Sequence, residues 1–543
     1  MKRLRYILIA ILVLTLVITG CGKDINKSDG KKGDTGGITS LLDKEAKDYE
    51  LPIVDDPFTL VFATSEDSEA IAAGVSYNQT LPAFEELEKR TGIKVKFEVT
   101  PPDQYNTTVQ TRLAAGKDLP DLIRLPDDPI RYAKGGLIIS IDELIGEYAP
   151  NILKLFKDRP EVMKAQTAPD GKIYTLSAVV DARSMVNFAG LGMRKDWLER
   201  LDLDEPETIE DWFRVLSEFK DGDPNGNGKN DEIPLLAMNV DGLYKFAWSY
   251  GLHLALSEGW YFDDDGKVIY EWTDPRMKEW LEEMNRWYTA GLLDPDMTAA
   301  QSMDKYTAKA IGDIGGASCS DFTMRFPQWN ERMVAEYPDA RWEGVTPPEG
   351  PNGDRILERE QPTENIHYAI TRDCKDPETV IKWLDYMFAS EEGQILVGNF
   401  GIEGLSYNMV DGRPQFTDLI LKSELGTGLA QASLGMNGTF PRILMKECIE
   451  QRFMQYDNEV AQSNKATEYH VPSFPRVLAA KEEIDAFVGI MADIDTYKDE
   501  MIVKFIQGKE SLDKFDEYVQ GIEAMGIEDA IAIKQAQYDR YIK

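Results

Sequence analysis

The spacing of hydrophobic and polar residues changes along the first part of the chain, and each spacing predicts one kind of element. Alternating or short apolar runs predict strands over residues 58–64, 93–99 and 121–125. Apolar residues three or four apart predict two helices between these strands. The first contains Leu81, Phe84 and Leu87, with Asn78 as its cap and an end near Gly92, and the second covers residues 103–115 before Gly116. This order is typical of a parallel sheet covered by helices.

The rest of the chain carries mainly helical patterns. Apolar residues on one stripe predict a helix over residues 208–220, which Thr208 and Asp211 begin as a capping pair. The other predicted elements are a strand over residues 172–177, a hairpin over residues 260–272, a helix from Asp274 to Gly291, a Gly-rich strand over residues 311–317, a strand over residues 365–371, a helix opened by Asp376, and amphipathic helix from residue 481 to the end.

Strand–helix units at both ends of a helical middle predict an α/β protein of two lobes that the chain visits more than once. We expect lobe 1 to contain about residues 51–180 and part of 365–480. Lobe 2, which is rich in helix, is expected to contain about residues 190–345 and the C-terminal helices. A cleft between two lobes is a favoured place for a small ligand.

The charge of the chain excludes two classes of partner. Its 543 residues include 60 Lys and Arg against 95 Asp and Glu, which gives a formal net charge of −35. Nucleic acids and anionic membrane surfaces attract clustered Lys and Arg, so we expect neither as a partner. The three histidines, His253, His367 and His470, lie far apart in sequence and leave little for a zinc site or a histidine proton relay.

The N-terminus has the composition of a secretion signal. Lys2, Arg3 and Arg5 precede an uninterrupted apolar run over residues 7–19, which is shorter than the ~20 residues of a membrane-spanning helix. The run ends in small residues before Cys21, and this arrangement resembles the signal of bacterial lipoproteins.

The lipoprotein resemblance implies removal of residues 1–20 and attachment of lipid, such as palmitate, to Cys21. It implies an extracellular location on the outer face of the cell membrane, in a bacterium of Gram-positive type. Residues 21–50 are rich in Lys, Asp, Gly and Ser, the composition of a flexible tether. The alternative interpretation of Cys21 is an ordinary buried thiol. The odd number of remaining cysteines argues against a complete disulfide framework.

A segment of alternating oxygen side chains and glycines, residues 221–232 (DGDPNGNGKNDE), predicts a structural calcium site. In one register the segment starts at Asp221 and follows the EF-hand pattern. In the other it starts at Asp223, and the ligands are Asp223, Asn225, Asn227, the Lys229 carbonyl, Asp231 and Glu232. We favour the second register because it uses both terminal carboxylates, and because Pro234 disfavours the helix that would follow in an EF-hand. The alternative is a cluster of Asn-Gly turns without metal.

Phrases spread over nearly all of the chain after the tether resemble one known family. They include PDLIRLPDDPIRYAKGGLIISIDELI, GLGMRKDWLERL, DPNGNGKNDEIP, TAGLLDPDM and the ending FIQGKESLDKFDEYVQGIEAMGIEDAIAIKQAQYDRY. The chain is similar to extracellular solute-binding proteins of bacterial ABC transporters, in particular the large carbohydrate-uptake lipoproteins that bind alginate or oligosaccharides. The second calcium register also resembles the calcium loop of the alginate-binding relatives.

This resemblance implies a periplasmic-binding-protein type II fold that closes over a sugar in the cleft and delivers it to a membrane permease, as a monomer and without catalysis. Sugar sites pair flat aromatic rings with polar side chains. The candidates on loops after strands are Tyr77, Asn78, Asp127, Arg131, Phe322, Trp329 and Glu403. The alternative for each aromatic ring is packing in a core.

Two other classes of function stay open. One is a surface glycosidase that uses a pair of carboxylates, and the other is a surface adhesin or sensor. The chain lacks the nucleophile-elbow, HExxH and phosphate-loop motifs, and its many acidic residues single out no carboxylate pair.

Overall fold

Two four-stranded sheets organise the part of the chain that the computed structural model describes, residues 37–180, 190–299, 301–320, 325–436, 438–453 and 465–543. Up to residue 180 the elements are α1 (Gly37–Leu42), β1 (Phe58–Ser65), α2 (Ser68–Ala72), α3 (Pro82–Thr91), β2 (Ile93–Thr100), α4 (Pro102–Ala115), β3 (Leu122–Arg124), α5 (Pro129–Lys134), α6 (Asp142–Tyr148), α7 (Pro150–Asp158) and α8 (Pro160–Ala165).

Residues 190–345 form β4 (Leu191–Arg194), α9 (Lys195–Arg200), α10 (Ile209–Asp221), β5 (Ile233–Leu236), β6 (Trp260–Phe262), β7 (Val268–Tyr270), α11 (Arg276–Thr289), α12 (Met303–Ile311), β8 (Gly315–Ser318), α13 (Phe326–Met333) and β9 (Trp342–Val345). A 3-10 helix covers Val240–Tyr250.

The remaining elements are β10 (Leu357–Glu358), β11 (Tyr368–Ile370), α14 (Pro377–Leu384), α15 (Glu391–Gly393), β12 (Tyr407–Val410), β13 (Arg413–Phe416), α16 (Asp418–Leu421), α17 (Thr427–Ser433), α18 (Lys446–Phe453), β14 (His470–Val471), α19 (Lys481–Ile506), α20 (Phe515–Ala524) and α21 (Ile527–Ile542). The helices within the described ranges are each too short or too polar to traverse a bilayer.

The first sheet has the order β11-β3-β1-β2, and the second has the order β5-β8-β4-β9. In the first, β1 runs parallel to both β2 and β3, with Phe58 opposite Ile93 at the start of the longer ladder, as the strand–helix pattern predicts. In the second, β5 and β8 are parallel, and β4 is antiparallel to both of its neighbours.

Each sheet has its own apolar core, and we call the sheet of β1 with its core lobe 1 and the sheet of β4 with its core lobe 2. The core of lobe 2 includes Trp212 and Trp287 and the inner face of the C-terminal helices, such as Phe505 and Tyr518. Among the described residues, the chain passes from the core of one lobe to the core of the other three times. These passages lie between Val179 and Leu191, between Val345 and Tyr368, and between Ile449 and Phe474. These cores agree with an α/β protein of two lobes.

Local signals in the sequence succeed where short-range bonds define the element. Thr208 Oγ1 accepts from the Asp211 amide at 3.1 Å and Asp211 Oδ2 accepts from the Thr208 amide at 3.2 Å, which confirms the capping pair of α10. The predicted hairpin is confirmed as β6 and β7.

Three local predictions are wrong. Asn78 does not cap α3, because Pro82 starts the helix and Leu81 occupies the cap position; the Asn78 amide instead donates to Ser76 Oγ at 3.1 Å. Residues 172–177 form only isolated bridges, of Ile173 with Thr167 and of Leu176 with Tyr368, because the segment changes partner along its length and pairs with no single strand. The Gly-rich strand starts at Gly315, since Ile311 still belongs to α12.

The tether is shorter than the sequence predicts, because residues 37–50 lie on lobe 1. Leu41 of α1 is 3% exposed and belongs to the lobe 1 core. The Lys47 amide donates to the Glu147 carbonyl at 2.9 Å, and the Tyr49 hydroxyl donates to Asp385 Oδ2 at 2.8 Å. Buried apolar and aromatic side chains among the charged residues hold this segment in place. Cys21 and the signal lie outside the described residues.

Two described segments run between the lobes, and we call them the second crossover (residues 346–367) and the third crossover (residues 465–480). Their strands β10 and β14 pair in parallel. The Arg476 guanidinium donates to the Thr363 carbonyl at 2.8 Å, which joins the two crossovers again nearer lobe 1. The Val180 amide donates to the Pro362 carbonyl at 3.0 Å, so the end of the first lobe 1 segment meets them at the same place.

The buried carboxylate of Glu358 fastens the second crossover to lobe 2. Oε2 accepts from Trp248 Nε1 at 2.9 Å and from the amides of Ala255 and Leu256 at 3.1 Å each. Oε1 accepts from the Ser257 amide at 2.9 Å and the Ser257 hydroxyl at 2.5 Å. The same hydroxyl accepts from the Phe474 amide of the third crossover at 2.9 Å. One carboxylate thereby holds both crossovers.

His367 lies where the second crossover enters β11. Its Nδ1 faces the hydroxyls of Thr175 at 3.4 Å and Ser177 at 3.2 Å, and its Nε2 faces Asn365 Oδ1 at 3.3 Å. Burial, reinforced by the positive charge of Arg476, lowers the pKa of His367 to about 4. The imidazole is therefore neutral in the folded chain at neutral pH.

Replacing Glu358 by Gln is expected to lower the free energy of unfolding by about 2–4 kcal/mol, because buried donors lose their acceptor and face an amide nitrogen. Urea unfolding of the full chain measures this. Glu424→Gln, on the exposed loop after α16, is the matched control and should leave the midpoint unchanged. Equal midpoints for the two variants would show that the Glu358 carboxylate is not needed.

The low pKa of His367 predicts a loss of stability in acid. Between pH 6.5 and 4 the unfolded chain binds a proton at this position that the folded chain does not bind, so the free energy of unfolding falls as the pH falls. The expected contribution is about 3 kcal/mol. Urea unfolding at pH 7 and pH 4 should therefore show a smaller loss for His367→Asn than for the unmodified chain, and equal losses would contradict a buried neutral imidazole.

Candidate functional site

The carboxyl ends of the parallel strands β1 and β3 meet at one edge of the lobe 1 sheet, which is where open α/β sheets bind ligands. The chain leaving β1 is held there by the segment after residue 438. Thr64 Oγ1 donates to the Thr439 carbonyl at 2.8 Å, and Thr439 Oγ1 donates to the Ser65 carbonyl at 2.6 Å. Glu66 is buried and accepts from the Tyr77 amide at 3.2 Å and from the Ser76 hydroxyl. We call this place the carboxyl edge.

The buried polar atoms of the carboxyl edge that have no hydrogen-bond partner among the described residues include the Tyr77 hydroxyl oxygen and Arg442 Nε. The Tyr77 ring stacks on Phe97, and its hydroxyl points at Gly438, where a Cβ would lie only 1.4 Å away. Arg442 donates to the Gly438 carbonyl and lies 3.8 Å from Glu364 of the second crossover. Unused donors at a sheet edge can meet the oxygens of a bound ligand.

Asp67 adds a carboxylate to this edge. One of its oxygens accepts from the amides of Glu69 and Ala70 at 2.9 and 3.0 Å and so begins α2. Burial raises the pKa of Asp67, while the amide of Ala70 and the charge of Arg442 act in the opposite direction. The edge therefore combines a tyrosine hydroxyl, a guanidinium and carboxylates, polar groups that recognise the hydroxyls of sugars. The Tyr77 ring itself is 3% exposed and packs in the lobe 1 core.

The structure brings four of the candidate ligand residues to the carboxyl edge. Tyr77 and the exposed Asn78 follow β1, and Asp127 and Arg131 follow β3. Asp127 Oδ2 accepts from Gln110 Nε2 at 3.0 Å and lies 3.7 Å from Arg131. Their role in binding stays a prediction.

The other candidates lie elsewhere. Trp329 is 2% exposed and packs against Phe326 and Trp342, which favours a structural role for the ring. The space left by the missing Cβ of the nearby glycines is filled by core side chains and not by a ligand. A Cβ at Gly316, for example, would lie 2.5 Å from Phe219. Glu403 is exposed and forms a backbone bridge with Tyr407. The charge of Arg90, at the end of α3, acts on Tyr407, so this turn lies toward the opposite edge of the lobe 1 sheet. Phe322 lies outside the described residues.

Sequence reasoning missed Arg442, Glu364 and Asp67. Arg442 lies at the carboxyl edge although more than 360 residues separate it in sequence from Tyr77. No local motif marks it. Long-range contacts place it there: Thr439 bonds to the chain leaving β1, and the Arg442 carbonyl accepts from the Val179 amide at 2.8 Å.

The predicted calcium loop connects α10 to β5 in lobe 2, so a strand follows Glu232 where an EF-hand would have a helix. Asp223 takes a left-handed conformation at φ 47°, and its carboxylate accepts from the Gly228 amide at 3.1 Å. Asp231 Oδ1 accepts from the side-chain amides of Asn227 at 3.0 Å and Asn225 at 3.4 Å. The loop therefore turns its carboxylate and amide groups toward one another.

The surroundings of the Glu232 carboxylate indicate whether this loop can hold a cation. Both of its carboxylate oxygens are buried and unbonded within the described ranges. Burial and the charges of Asp231 and Asp223 raise its pKa. Among the described residues no three His, Cys, Asp or Glu side chains converge as a ready metal site, so Asn225, Asn227 and a carbonyl such as that of Lys229 would have to contribute. Hard oxygen ligands of this mixture are those that calcium takes, and the residues fit the ion.

The chain matches the family model described as bacterial extracellular solute-binding protein over residues 72–394, more than half of its length. It is 27% identical over 498 residues to the fructooligosaccharide ABC transporter substrate-binding protein FusA of Streptococcus pneumoniae, covering 84% of this chain and 86% of FusA. It is also 27% identical over 374 residues to lipoprotein LipO of Bacillus subtilis, covering 65% of this chain and 70% of LipO.

Solved structures show the same architecture. The alginate-binding protein AlgQ2, solved without calcium ion, superposes with a TM-score of 0.69 at 26% identity and covers 90% of this chain and 99% of its own. An EF-hand mutant of FusA in complex with fructo-nystose superposes with a TM-score of 0.68 at 25% identity, over 89% of this chain and 99% of its own.

Proposed function

The chain belongs to the bacterial extracellular solute-binding proteins, and on that premise we propose that it is the substrate-binding component of an ABC importer that captures an oligosaccharide. Its relative FusA is named for fructooligosaccharides, and AlgQ2 is named for alginate. The ligand lies at the carboxyl edge of lobe 1 and is enclosed when lobe 2 approaches about the crossovers. The sugar then passes to a membrane permease.

One observation carries the assignment of the ligand site. The Tyr77 hydroxyl and Arg442 Nε are buried polar atoms with no hydrogen-bond partner among the described residues. They lie at the edge where the parallel strands β1 and β3 end and where the crossovers arrive. Leaving buried donors unpaired is costly, and sugar hydroxyls can both accept and donate. Tyr77, Asn78, Asp127 and Arg131 from the sequence, together with Asp67, Glu364 and Arg442, form the proposed ligand surface.

The proposal extends to location. The signal before Cys21 and the similarity to lipoprotein LipO support a lipid anchor on the outer face of the cell membrane, and we propose that the protein acts there as a monomer. FusA and LipO come from Streptococcus and Bacillus, which supports a Gram-positive host. The membrane is contacted through the lipid alone, and the permease is the protein partner.

Isothermal titration with kestose, nystose, alginate oligosaccharides and oligogalacturonides tests the function. We expect tight binding of one class without any change in the sugar, which chromatography of the recovered ligand establishes. Cleavage would support the glycosidase alternative instead, and the absence of binding to every sugar would leave the adhesin or sensor.

Arg442→Gln is expected to weaken binding of the identified sugar roughly ten- to a hundredfold, the effect of losing a charged hydrogen-bond donor. Arg332→Gln, an exposed residue of α13, is the matched control and should bind normally. Equal affinities in the two variants, with equal melting temperatures, would remove Arg442 from the site while leaving the function standing.

We also propose a structural calcium ion in lobe 2, held by Asp223, Asn225, Asn227, the Lys229 carbonyl, Asp231 and Glu232. The unpaired Glu232 carboxylate supports this, as do the AlgQ2 structure solved without calcium ion and the EF-hand of FusA. A bound divalent cation supplies the positive charge that these carboxylates lack.

Calcium is expected to raise the melting temperature of the chelator-treated protein, with a stabilisation of about 2.7 kcal/mol at a hundredfold excess over the dissociation constant. Glu232→Gln should abolish most of this rise, because it removes a charged ligand. Glu336→Gln, an exposed carboxylate beside the same loop, should keep it. A melting temperature that calcium and chelator leave unchanged would sink the calcium site.

A further inference from the structure

Two hydrogen bonds from outside the calcium loop hold its first half. The Arg200 guanidinium, at the end of α9, donates to the Pro224 carbonyl at 2.7 Å. Asn225 Nδ2 donates to the Asp313 carbonyl at 3.0 Å. Asp313 has a left-handed backbone at φ 59°, which sets the direction of this carbonyl between α12 and β8. Neighbouring loop residues are thus fixed by two distant parts of lobe 2.

The two supports meet in one buried cluster. Arg194, at the end of β4, is 0% exposed and donates to Asp196 through two parallel bonds at 2.8 and 2.7 Å. Its remaining nitrogen lies 2.6 Å from Asp313 Oδ1. Asp196 Oδ2 also lies 3.2 Å from Arg200. Hydrogen bonds and two ion pairs, Arg200–Asp196 and Arg194–Asp313, thus form a closed ring from Pro224 through Arg200, Asp196, Arg194 and Asp313 to Asn225.

The ring orients a proposed ligand. Asn225 Nδ2 donates to the Asp313 carbonyl at 3.0 Å and, over the longer distance of 3.4 Å, to Asp231 Oδ1. The shorter bond fixes the orientation of the amide, and its Oδ1 accepts from the Asn227 backbone amide at 3.0 Å. The other end of the loop is held by β5, whose first amide, Ile233, donates to the Ile314 carbonyl at 2.7 Å. A calcium loop binds more tightly when its ligands need little rearrangement.

We propose that Arg200 is a positioning residue for calcium: it holds the Pro224 carbonyl, and with the ring behind it keeps the loop in the conformation that receives the ion. The inference rests on the calcium site proposed above. It concerns a residue that touches no ion and lies outside the loop sequence.

Charge and position predict opposite effects for this residue. Arg200 is a cation beside an acidic loop, so its charge alone repels calcium and its removal would tighten binding. If its bond to Pro224 positions the loop, its removal weakens binding. Added salt screens the first effect and leaves the second.

Arg341 provides a matched control in the same groove. Its side chain is 44% exposed against 39% for Arg200, and both side chains line one pocket with Asp339. Arg341 pairs with Glu199 and Glu343, and no bond from its side chain to the loop is present among the described contacts. Arg341→Ala therefore removes the same charge without removing the proposed support.

The experiment is calcium titration by calorimetry on the full chain and its variants Arg200→Ala, Arg200→Lys and Arg341→Ala, at 0.15 and 0.5 M KCl, with melting in chelator as a check of folding. We expect Arg200→Ala to raise the dissociation constant roughly three- to tenfold at both salt concentrations, the effect of one lost hydrogen bond. Arg200→Lys, which keeps a donor and the charge, should recover much of the affinity, and Arg341→Ala should bind as tightly as the unmodified chain or more tightly.

Equal or tighter binding by Arg200→Ala would overturn the positioning role while the calcium site stands. Absence of calcium binding by the unmodified chain would overturn the site itself and the inference with it. Equal weakening in Arg200→Ala and Arg341→Ala would also overturn it, because the weakening would then not depend on the bond to Pro224.

Discussion

The buried carboxylate of Glu358 is the point on which the passage between the lobes depends. Five donors converge on it, and Ser257 relays the contact to the amide of Phe474 in the third crossover. A carboxylate so fully bonded is rigid, so the crossovers move as part of lobe 2 at this end. Nearer lobe 1 the crossovers are joined by Arg476, and the second crossover ends at the buried His367. Two separate cores joined in this way can approach each other without repacking either one.

The sequence could predict the elements that short-range chemistry defines. β1 and β2 follow from hydrophobic alternation, α10 from its capping box, and the hairpin from its Asp-Gly turn. Prediction failed where a longer-range contact overrode the local signal. The charged segment around Tyr49 looks like a tether by composition, yet one hydroxyl bond to the buried Asp385 and one apolar residue, Leu41, place it on lobe 1. Trp329 follows a Gly-rich strand, yet these glycines make room for core rings.

The candidate site is less visible in the sequence than the fold, for a physical reason. The calcium loop, residues 221–232, carries its proposed ligands close together in sequence. Its chemistry can therefore be predicted from that short segment alone. The carboxyl edge is assembled from β1, β3 and a segment near residue 440, which meet only after the sheet has formed. Tyr77 and Asp127 could be expected there because they follow strands. Arg442 could not, because nothing in its neighbourhood distinguishes it from other arginines.

The docking of α1 on lobe 1 also decides where a mechanical force enters the molecule. Leu41 is inserted in the core, and the Lys47 amide is bonded to Glu147, before the chain reaches β1. A pull on the N-terminus therefore loads these contacts in shear and is taken up by lobe 1. The crossovers lie outside that load path, so a pull on the N-terminus would not act on the connections between the lobes. The proposed closure of the lobes would thereby be mechanically independent of the proposed lipid anchor.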